Sequence, residues 1–257
     1  MISSYLQGGL GNQMFQIAAA VSLAKDNNTE AIFDTDNHDL PKQGRKCEKY
    51  LNSIFRNIKF SKRLGIVRAY HEPSFGHEEI PYVPNTCLMG YFQSEKYFIH
   101  NQQLIRDLFS IDEVSKEIIN EKYSEILNKN PVGVHVRRGD YLFSDGHHPL
   151  CTKEYYEKAF GVFPENTTYL FVSDDIGWCK QNFIGKNFHF VSGNEDYVDL
   201  FLMSKCRHDI IANSSFSWWA AWLNENKEKR VIAPQKWFAA SSILDTKDLI
   251  PQGWKKI

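Results

Sequence analysis

Two adjacent arginines, Arg137 and Arg138, end a short apolar run that contains His135, and Asp140 follows two residues later. Guanidinium groups bind phosphate oxygens in a bidentate manner and stay charged at any working pH. Adjacent arginines repel each other, so the pair makes sense where an anionic group lies between them or where each has its own carboxylate. We expect one arginine to bind an anionic ligand while Asp140 holds the other. The alternative is a surface pair with purely structural salt bridges.

A second polar cluster, residues 213–217, joins a predicted strand to a predicted helix. Such a junction presents free backbone N–H groups and the positive end of the helix dipole. The hydroxyls of Ser214, Ser215 and Ser217 add further hydrogen-bond donors. These features together indicate a cradle for an anion. Plain helix capping by Ser214 or Ser215 is the alternative.

Two carboxylates, Asp174 and Asp175, follow the predicted strand TYLFVS. A carboxylate can accept hydrogen bonds from two nitrogens of one base edge, and guanine offers its ring N–H and amino group together. The pair is therefore a candidate for guanine binding. The alternative is that one of them caps the next helix.

A glycine-rich stretch, GGLG at residues 8–11, lies between a predicted strand and a predicted helix. Glycine lets the backbone approach a ligand closely. The dinucleotide-binding fingerprint would need a third glycine where Met14 stands, although Asp34 lies near the position of the ribose-binding acid. A nicotinamide-dependent oxidoreductase is thus an alternative function. No GxxxxGK[ST] motif occurs, which disfavours a P-loop nucleotide hydrolase.

These clusters need a scaffold that brings strand ends together, and the hydrophobic pattern predicts one. The predicted strands are 2–7, 30–36, 86–93, 132–136, 168–173, 187–192, 209–213 and 230–234. The predicted helices are 14–25, 111–127 after a capping box at Ser110, 152–160, 195–206 and 215–224. Alternating strands and helices, with strands of nearly continuous apolar character, predict an α/β fold with parallel sheets covered on both faces.

Ligands of such sheets bind beyond the carboxyl ends of the strands. The polar clusters that fall there are 8–13, 135–140, 173–175 and 213–217. We predict two α/β halves, residues 1–129 and 130–257, and the C-terminal tail is a candidate for returning to the first half. The tryptophans at 218, 219 and 222 have helical spacing, which predicts core packing. His147 and His148 are predicted to be a loop pair.

Composition narrows the class of protein. The chain has 257 residues and a formal net charge of −1, which argues against a general binder of nucleic acid or membrane surface. The start of the chain has no signal-peptide pattern, and no run approaches the roughly 18 apolar residues of a membrane span. We therefore expect a cytoplasmic protein with at most peripheral membrane contact. No CxxC pair occurs, so reduced thiols are expected at Cys47, Cys87, Cys151, Cys179 and Cys206.

Four segments in this order resemble the motifs of glycosyltransferase family 11: GGLGNQMFQIA, HVRRGDY, FVSDD and IIANSSFSWWAAWLN. The family comprises α-1,2-fucosyltransferases that use GDP-fucose, and the resemblance spans about residues 6 to 224. The HxRRxD block is shared with α-1,6- and protein O-fucosyltransferases, whereas the first and last segments point to the α-1,2 branch. The resemblance implies a GT-B-like fold, with two Rossmann-like halves whose parallel sheets face each other across a cleft.

The resemblance also implies roles for the polar clusters. Arg137 would hold the β-phosphate of GDP-fucose, and His135 would lie against the nucleotide or the fucose. Asp174 or Asp175 would bind guanine. The other positions assigned to donor binding are Gly9, Asn12, Arg138, Asp140, Asn213, Ser214, Ser215 and Ser217. Among these, the serines would cradle phosphate, and Gly9 and Asn12 would close over the diphosphate and sugar.

The implied reaction is an inverting, metal-independent transfer of fucose with no cofactor. Its acceptor would be a galactose-ended oligosaccharide or lipid-linked glycan, as in bacterial surface polysaccharide or O-antigen. A catalytic base is harder to assign: in α-1,6 relatives an acid lies five positions after the motif aspartate, which here gives Asp145, with His147 and His148 nearby. Some fucosyltransferases manage without an enzymatic base. A non-catalytic module that binds a GDP-sugar is the remaining alternative.

Overall fold

The computed structural model describes residues 1–35, 46–62, 64–66, 68–143, 148–239 and 241–257. The chain packs as two compact units. The first comprises Met1–Asp112 and Leu244–Pro251, and the second comprises Glu113–Ile243 and Gln252–Ile257. The acceptor and donor roles expected for residues 1–129 and 130–257 stay predictions.

The first unit is built on a parallel sheet with strand order β1-β5-β4, beside a parallel pair of β2 and β3. Its strands are β1 (Ile2–Ser4), β2 (Phe33–Asp34), β3 (Phe60–Ser61), β4 (Arg68–His71) and β5 (Thr86–Met89). Its helices are α1 (Leu10–Asp26) and α2 (Gln102–Leu108), with 3₁₀ turns at Cys47–Tyr50, Glu95–Tyr97 and Ile99–Asn101. Most of the apolar residues of α1 are buried, and Phe15 lies against Phe98 with ring centroids 6.2 Å apart.

The segment 244–251 is tied to the first unit through Asp248. One oxygen of the Asp248 carboxylate accepts from the backbone N–H of His77 at 3.0 Å, and the other contacts Lys96 Nζ at 2.5 Å. The Asp248 carbonyl accepts from the Ser94 hydroxyl at 2.7 Å. This late segment is therefore an integral part of the packing of the first unit.

The second unit contains a parallel sheet with strand order β11-β10-β9-β6-β7-β8. Its helices are α3 (Glu113–Leu127), α4 (Lys153–Phe160), α5 (Ile176–Asn182), α6 (Asp196–Ser204) and α7 (Ser215–Leu223). Its strands are β6 (Val132–Val136), β7 (Tyr169–Ser173), β8 (Phe188–Phe190), β9 (His208–Ile210), β10 (Val231–Ala233) and β11 (Lys255–Lys256), and a 3₁₀ turn spans Asp140–Phe143.

The strand β6 shows why this sheet forms. All five of its residues are buried, including Val132, Val134 and Val136, as expected of a central parallel strand covered on both faces. The predicted α/β class with parallel sheets is confirmed. The predicted core role of the tryptophans also matches the structure, because Trp218 and Trp219 are fully buried and Trp222 is nearly so. Within the described residues, the helices are all too short or too polar to cross a membrane.

Several elements differ from the sequence-based expectation: β3, β4, β11 and α2 were not among the predicted elements, and strands such as β1 and β5 end earlier than expected. Two further differences concern the starts of helices. Helix α1 begins at Leu10 instead of residue 14, because Gly9 occupies the N-cap position in an extended conformation and the glycine-rich loop ends there. The capping box at Ser110 is wrong: α3 begins at Glu113. The Ser110 hydroxyl instead accepts a hydrogen bond from Arg56 Nη2 at 2.9 Å.

Candidate active site

Arg137 and Arg138 directly follow β6, at its carboxyl end. Val136 pairs in register with Ser173 of β7, so the residues that follow each strand meet at the same edge of the sheet. Arg137 and Arg138 therefore face Asp174 and Asp175. The structure brings these predicted site residues together.

Arg137 is held between two carboxylates. Its Nη2 lies 2.7 Å from Asp140 Oδ1, and its Nη1 lies 3.0 Å from Asp174 Oδ2. The guanidinium carbon lies 5.4 Å from the centroid of the Tyr141 ring, and 29% of the side chain is exposed. Arg137 is thus oriented by its neighbours while part of it can still reach a ligand.

Arg138 is more embedded than Arg137. Its Nε lies 3.1 Å from Asp175 Oδ2, its guanidinium carbon lies 4.0 Å from the Trp178 ring centroid, and 16% of the side chain is exposed. We expected Asp140 to hold the arginine that does not bind the ligand. Asp140 pairs with Arg137, because the 3₁₀ turn that begins at Asp140 brings its carboxylate back towards residue 137. Which of the two arginines binds a ligand stays a prediction.

The two aspartates after β7 have different local roles. Asp175 caps α5 by accepting from the backbone N–H of Trp178 at 3.1 Å, which is the alternative considered from the sequence. Asp174 Oδ1 accepts from the backbone N–H of Arg138 at 2.9 Å, while its other oxygen binds Arg137. A Cβ atom on Gly139 would lie 2.6 Å from Asp174 Oδ2, so this glycine lets the turn pass the carboxylate. Guanine binding by Asp174 or Asp175 stays a prediction.

His135 is buried in β6, with 3% of its surface exposed. Its ring centroid lies 5.0 Å from that of Phe216, and its carbonyl accepts from the Tyr156 hydroxyl at 3.0 Å. Burial, helped by the charge of Arg137, lowers the pKa of His135 to about 3. Its Nδ1 has no hydrogen-bond partner among the described residues. The imidazole is therefore neutral at working pH and too weakly basic to serve as a general base.

The segment 213–217 lies at the carboxyl end of β9 and opens α7. Ser214 is the N-cap residue in an extended conformation, and the Ser217 hydroxyl donates to the Ser214 carbonyl at 3.3 Å. Ser215 begins the helix. Asn213 has a structural task, because its side-chain nitrogen donates to the carbonyls of Pro149 and Trp237, each at 2.9 Å. Contact of these residues with a donor phosphate stays a prediction.

Tyr141 and Trp178 are the residues that sequence reasoning missed at this edge. The Tyr141 ring lies under Arg137, and its hydroxyl donates to the Asn213 carbonyl at 2.9 Å. Trp178 lies against Arg138. Their positions could have indicated them, because Tyr141 directly follows Asp140 and Trp178 follows Asp175 by three residues.

A carboxylate on α6 was also missed. Asp199, on α6, accepts from Asn194 Nδ2 at 2.9 Å, and the same nitrogen donates to the Tyr123 hydroxyl at 2.7 Å. Burial raises the pKa of Asp199 to about 6. Sequence reasoning predicted a helix over residues 195–206 and gave this carboxylate no role.

The first unit has its own polar edge at the carboxyl ends of β1 and β5. Gly8 has a positive φ of 77°, and a Cβ atom there would lie 2.4 Å from Asn12 Nδ2. Around the ideal Cβ position of Gly9, no atom of the described residues lies within 4 Å. Asn12 Oδ1 accepts from Gln93 Nε2 at 2.8 Å. The predicted contacts of Gly9 and Asn12 with a diphosphate or sugar stay predictions.

A Ser–His–Asp group in the first unit has the residue types of a hydrolase triad but lacks its geometry. His100 Nε2 lies 3.3 Å from Ser22 Oγ and 2.8 Å from Asp26 Oδ2. A triad requires the two nitrogens of the ring to serve the two partners, so that one accepts the serine proton while the other is held by the acid. Here one nitrogen contacts both, and the group serves to fix α1 to the 3₁₀ turn at Ile99–Asn101.

Asp145 and His147 lie outside the described residues, so the base assigned to Asp145 stays a prediction. The His148 ring stacks on Tyr141 with centroids 4.7 Å apart. In the part of the chain that the structure describes, no group of three or more His, Cys, Asp or Glu residues could hold a metal ion. The expected metal independence stays a prediction.

Comparison with known proteins shows which family the chain belongs to. The chain is 32% identical to the O-antigen biosynthesis glycosyltransferase WbnK of Escherichia coli, covering 93% of this chain and 95% of that protein. It is 30% identical to an alpha-1,2-colitosyltransferase of Escherichia coli, covering 100% and 99%. It is 28% identical to galactoside alpha-(1,2)-fucosyltransferase 2 of Oryctolagus cuniculus, covering 84% and 65%.

A solved structure supports the fold. The fucosyltransferase NodZ from Bradyrhizobium superposes with a TM-score of 0.54 at 15% identity, covering 85% of this chain and 91% of that chain. NodZ, described as an alpha-1,6-fucosyltransferase, has also been crystallised with GDP-fucose soaked in, and that structure gives a TM-score of 0.53. The likeness shows a GT-B-like α/β fold. Together with the match of the family model described as Glycosyl transferase family 11 to residues 1–257, these findings show that the chain belongs to glycosyltransferase family 11.

Proposed function

We propose that this chain transfers L-fucose from GDP-β-L-fucose to the 2-hydroxyl of a terminal galactose on a glycan. The observation that carries the proposal is the partly exposed guanidinium of Arg137, oriented by Asp140 and Asp174 at the edge of the sheet where α7 also begins. That combination suits the diphosphate of a sugar nucleotide. The names of the relatives support galactose and an α-1,2 linkage, because the mammalian relative is a galactoside alpha-(1,2)-fucosyltransferase.

In the proposed reaction, the galactose 2-oxygen attacks the anomeric carbon of fucose from the face opposite the diphosphate. The bond from that carbon to the β-phosphate oxygen breaks, and its electron pair stays on GDP. The configuration inverts. Negative charge grows on the β-phosphate in the transition state, so a preorganised cation at Arg137 stabilises the transition state more than the bound donor.

The binding surface would use several further residues. The neutral ring of His135 suits a hydrogen bond to the nucleotide or the sugar. Because its Nδ1 is buried in this structure, that bond would require a local rearrangement. The start of α7 would cradle phosphate through Ser214, Ser215 and Ser217. Because Asp174 and Asp175 are engaged by arginines in this structure, guanine binding there would require those pairs to exchange. The acceptor proton would leave to Asp145 or directly to solvent.

A second donor is favoured by one relative, the alpha-1,2-colitosyltransferase. Colitose is fucose without its 3-hydroxyl. A site that hydrogen-bonds a substrate hydroxyl rejects the analogue that lacks it by a factor on the order of 10⁴, whereas an apolar site does not. Comparison of the two donors therefore tests how the site treats that hydroxyl. We place the reaction in bacterial surface polysaccharide or O-antigen synthesis on the cytoplasmic side, with a lipid-linked glycan as a natural acceptor.

The first experiment measures GDP release from GDP-fucose, with GDP-colitose and GDP-mannose in parallel, with and without β-galactosides such as lactose. We expect acceptor-dependent release with GDP-fucose and none with GDP-mannose. Faster release with GDP-colitose would reassign the donor. GDP binding by calorimetry without release for any donor and acceptor would favour a non-catalytic module. The same assay in EDTA should retain activity, and loss of activity that Mg²⁺ or Mn²⁺ restores would overturn metal independence.

A further inference from the structure

The loop that follows β5, residues 90–93, has a strained backbone. Phe92 is fully buried and has a φ of 51°, in the left-handed region that bulky residues rarely adopt. A conformation of this kind costs free energy and persists only where the surrounding structure enforces it. Such strain is found preferentially at ligand sites, so the groups that enforce it here are informative.

The main constraint on the loop is Glu72, which follows the edge strand β4. One oxygen of its carboxylate accepts from the backbone N–H of Tyr91 at 2.7 Å, and the other accepts from that of Phe92 at 2.9 Å. Gly90 makes this approach possible, because a Cβ atom there would lie 2.4 Å from the Glu72 Cβ. The carboxylate thus holds two successive N–H groups in the strained turn.

Two glutamines fix the rest of the loop to the glycine-rich segment of the same unit. Gln16 Nε2 donates to the Gly90 carbonyl at 3.1 Å, and Gln93 Nε2 donates to Asn12 Oδ1 at 2.8 Å. The loop is therefore continuous with the residues assigned to closing over the sugar of the donor. It lies at the carboxyl edge of a parallel sheet, where ligands of α/β proteins bind.

This rigid loop presents one large side chain to solvent. The residues on either side of Tyr91 are buried or half-buried, whereas Tyr91 itself is 39% exposed. An aromatic ring on a fixed backbone suits the apolar face of a sugar, since binding does not require the ring to be ordered first. Of the side chains that fix this loop, the charged one is Glu72, and its carboxylate binds the backbone of the loop. A negative charge at this place suits a neutral polyhydroxyl ligand better than a phosphate.

We propose that residues 90–93 form the acceptor-recognition loop, in which Tyr91 packs against the terminal galactose and Glu72 is a positioning residue. The identity of the sugar rests on the proposed function. The chain offers a matched comparison, because Tyr82 lies in the same unit and is 37% exposed.

The experiment compares Tyr91→Ala, Tyr91→Phe and Tyr82→Ala in steady-state kinetics with lactose and GDP-fucose varied separately. We expect Tyr91→Ala to raise the KM for lactose at least tenfold and to leave the KM for GDP-fucose within twofold. Tyr91→Phe should stay within threefold because the ring is retained, and Tyr82→Ala should match the wild type. A lactose KM within twofold of wild type in Tyr91→Ala, or equal increases in both KM values, would overturn the proposal.

Glu72→Gln tests the positioning role. An amide has only one oxygen, and its NH₂ group cannot accept the second hydrogen bond from the backbone of the loop. We expect kcat/KM for lactose to fall at least tenfold while calorimetric GDP binding is unchanged. Equal loss of both would indicate a general structural defect and would remove Glu72 from this role.

A third measurement separates failure of this inference from failure of the proposed function. Saturation-transfer NMR reports lactose binding without any transfer. If the wild type does not transfer fucose but binds lactose, and Tyr91→Ala alone abolishes binding, the proposed reaction fails and the recognition loop stands. If the wild type transfers fucose and Tyr91→Ala binds lactose normally, the recognition loop fails and the reaction stands. If the wild type binds no β-galactoside, the loop is not a galactose site.

Discussion

The two units carry different chemistry at the same position of similar parallel sheets. In the second unit, the strand ends present Arg137, paired with two aspartates, and Arg138, paired with one, and each arginine lies against an aromatic ring. In the first unit, the strand ends present glycines and side-chain amides, and Glu72 is used to hold backbone. A charged edge suits a diphosphate, whereas a neutral, strained edge suits a sugar. The difference lies in the loops, since the sheets that carry them are both parallel.

The largest effect is expected when the Arg137 cation is removed from the charged edge. Arg137→Ala should reduce kcat/KM at least a hundredfold, about 2.7 kcal/mol, because the developing charge on the leaving diphosphate loses its partner. Steady-state kinetics with GDP-fucose measures the change. Arg207→Ala is the control, because Arg207 pairs with Glu228 just before β9, at the opposite end of that strand. A loss below fivefold in Arg137→Ala would remove that residue from the central role.

A medium effect is expected at the neutral edge. Gly8→Ala should lower the free energy of unfolding by about 2 kcal/mol, because the positive φ disfavours alanine and the new Cβ would contact Asn12. Chemical denaturation is the measurement. Gly9→Ala should keep its stability, since no described atom lies near the added Cβ, and should lose activity if a ligand approaches this backbone. Equal stability of both variants would show that the loop is not conformationally constrained.

The smallest effect concerns pH. His135 has a pKa of about 3 in the folded protein against 6.5 as a reference, so below pH 6.5 the unfolded chain binds a proton that the native state does not. Stability should therefore fall as the pH drops, by about 1.4 kcal/mol per pH unit from this residue. Urea unfolding at pH 7.5 and 5.5 should show a smaller difference in His135→Gln than in the wild type. An unchanged difference would contradict the burial argument.

The neutral edge should respond to pH in the opposite sense. Burial raises the pKa of Glu72 above its reference of 4.5, so the native state binds a proton more readily than the unfolded chain just above that pH. Acidification through this window then adds stability.

The sequence predicted the scaffold well and the pairing within it poorly. Strands such as β6 could be predicted because their apolar character is nearly continuous, and in the structure all five residues of β6 are buried. The arginine and aspartate clusters were visible because they follow such strands. The pairing of Asp140 with Arg137 could not be predicted, because it depends on a 3₁₀ turn that no local sequence pattern indicates.

The first unit was harder to predict for a physical reason. Strand β4 is exposed over most of its length, so it lacks a hydrophobic period. The constraint from Glu72 on the loop at Tyr91 joins residues 19 positions apart, and it needs the pairing of β4 with β5 to exist first. Single-sequence patterns report periodicity and local turns. They do not report which carboxylate will meet which N–H across a sheet.

The return of residues 244–251 to the first unit has a consequence for biosynthesis. A ribosome delivers Asp248 only after the whole of the stretch 113–243, so the groups of His77, Ser94 and Lys96 that bind Asp248 must wait until that stretch has been synthesised. Residues 255 and 256 then add β11 to the edge of the second sheet. Both units therefore complete their folding at almost the same moment of translation, and neither leaves the ribosome as a finished domain ahead of the other.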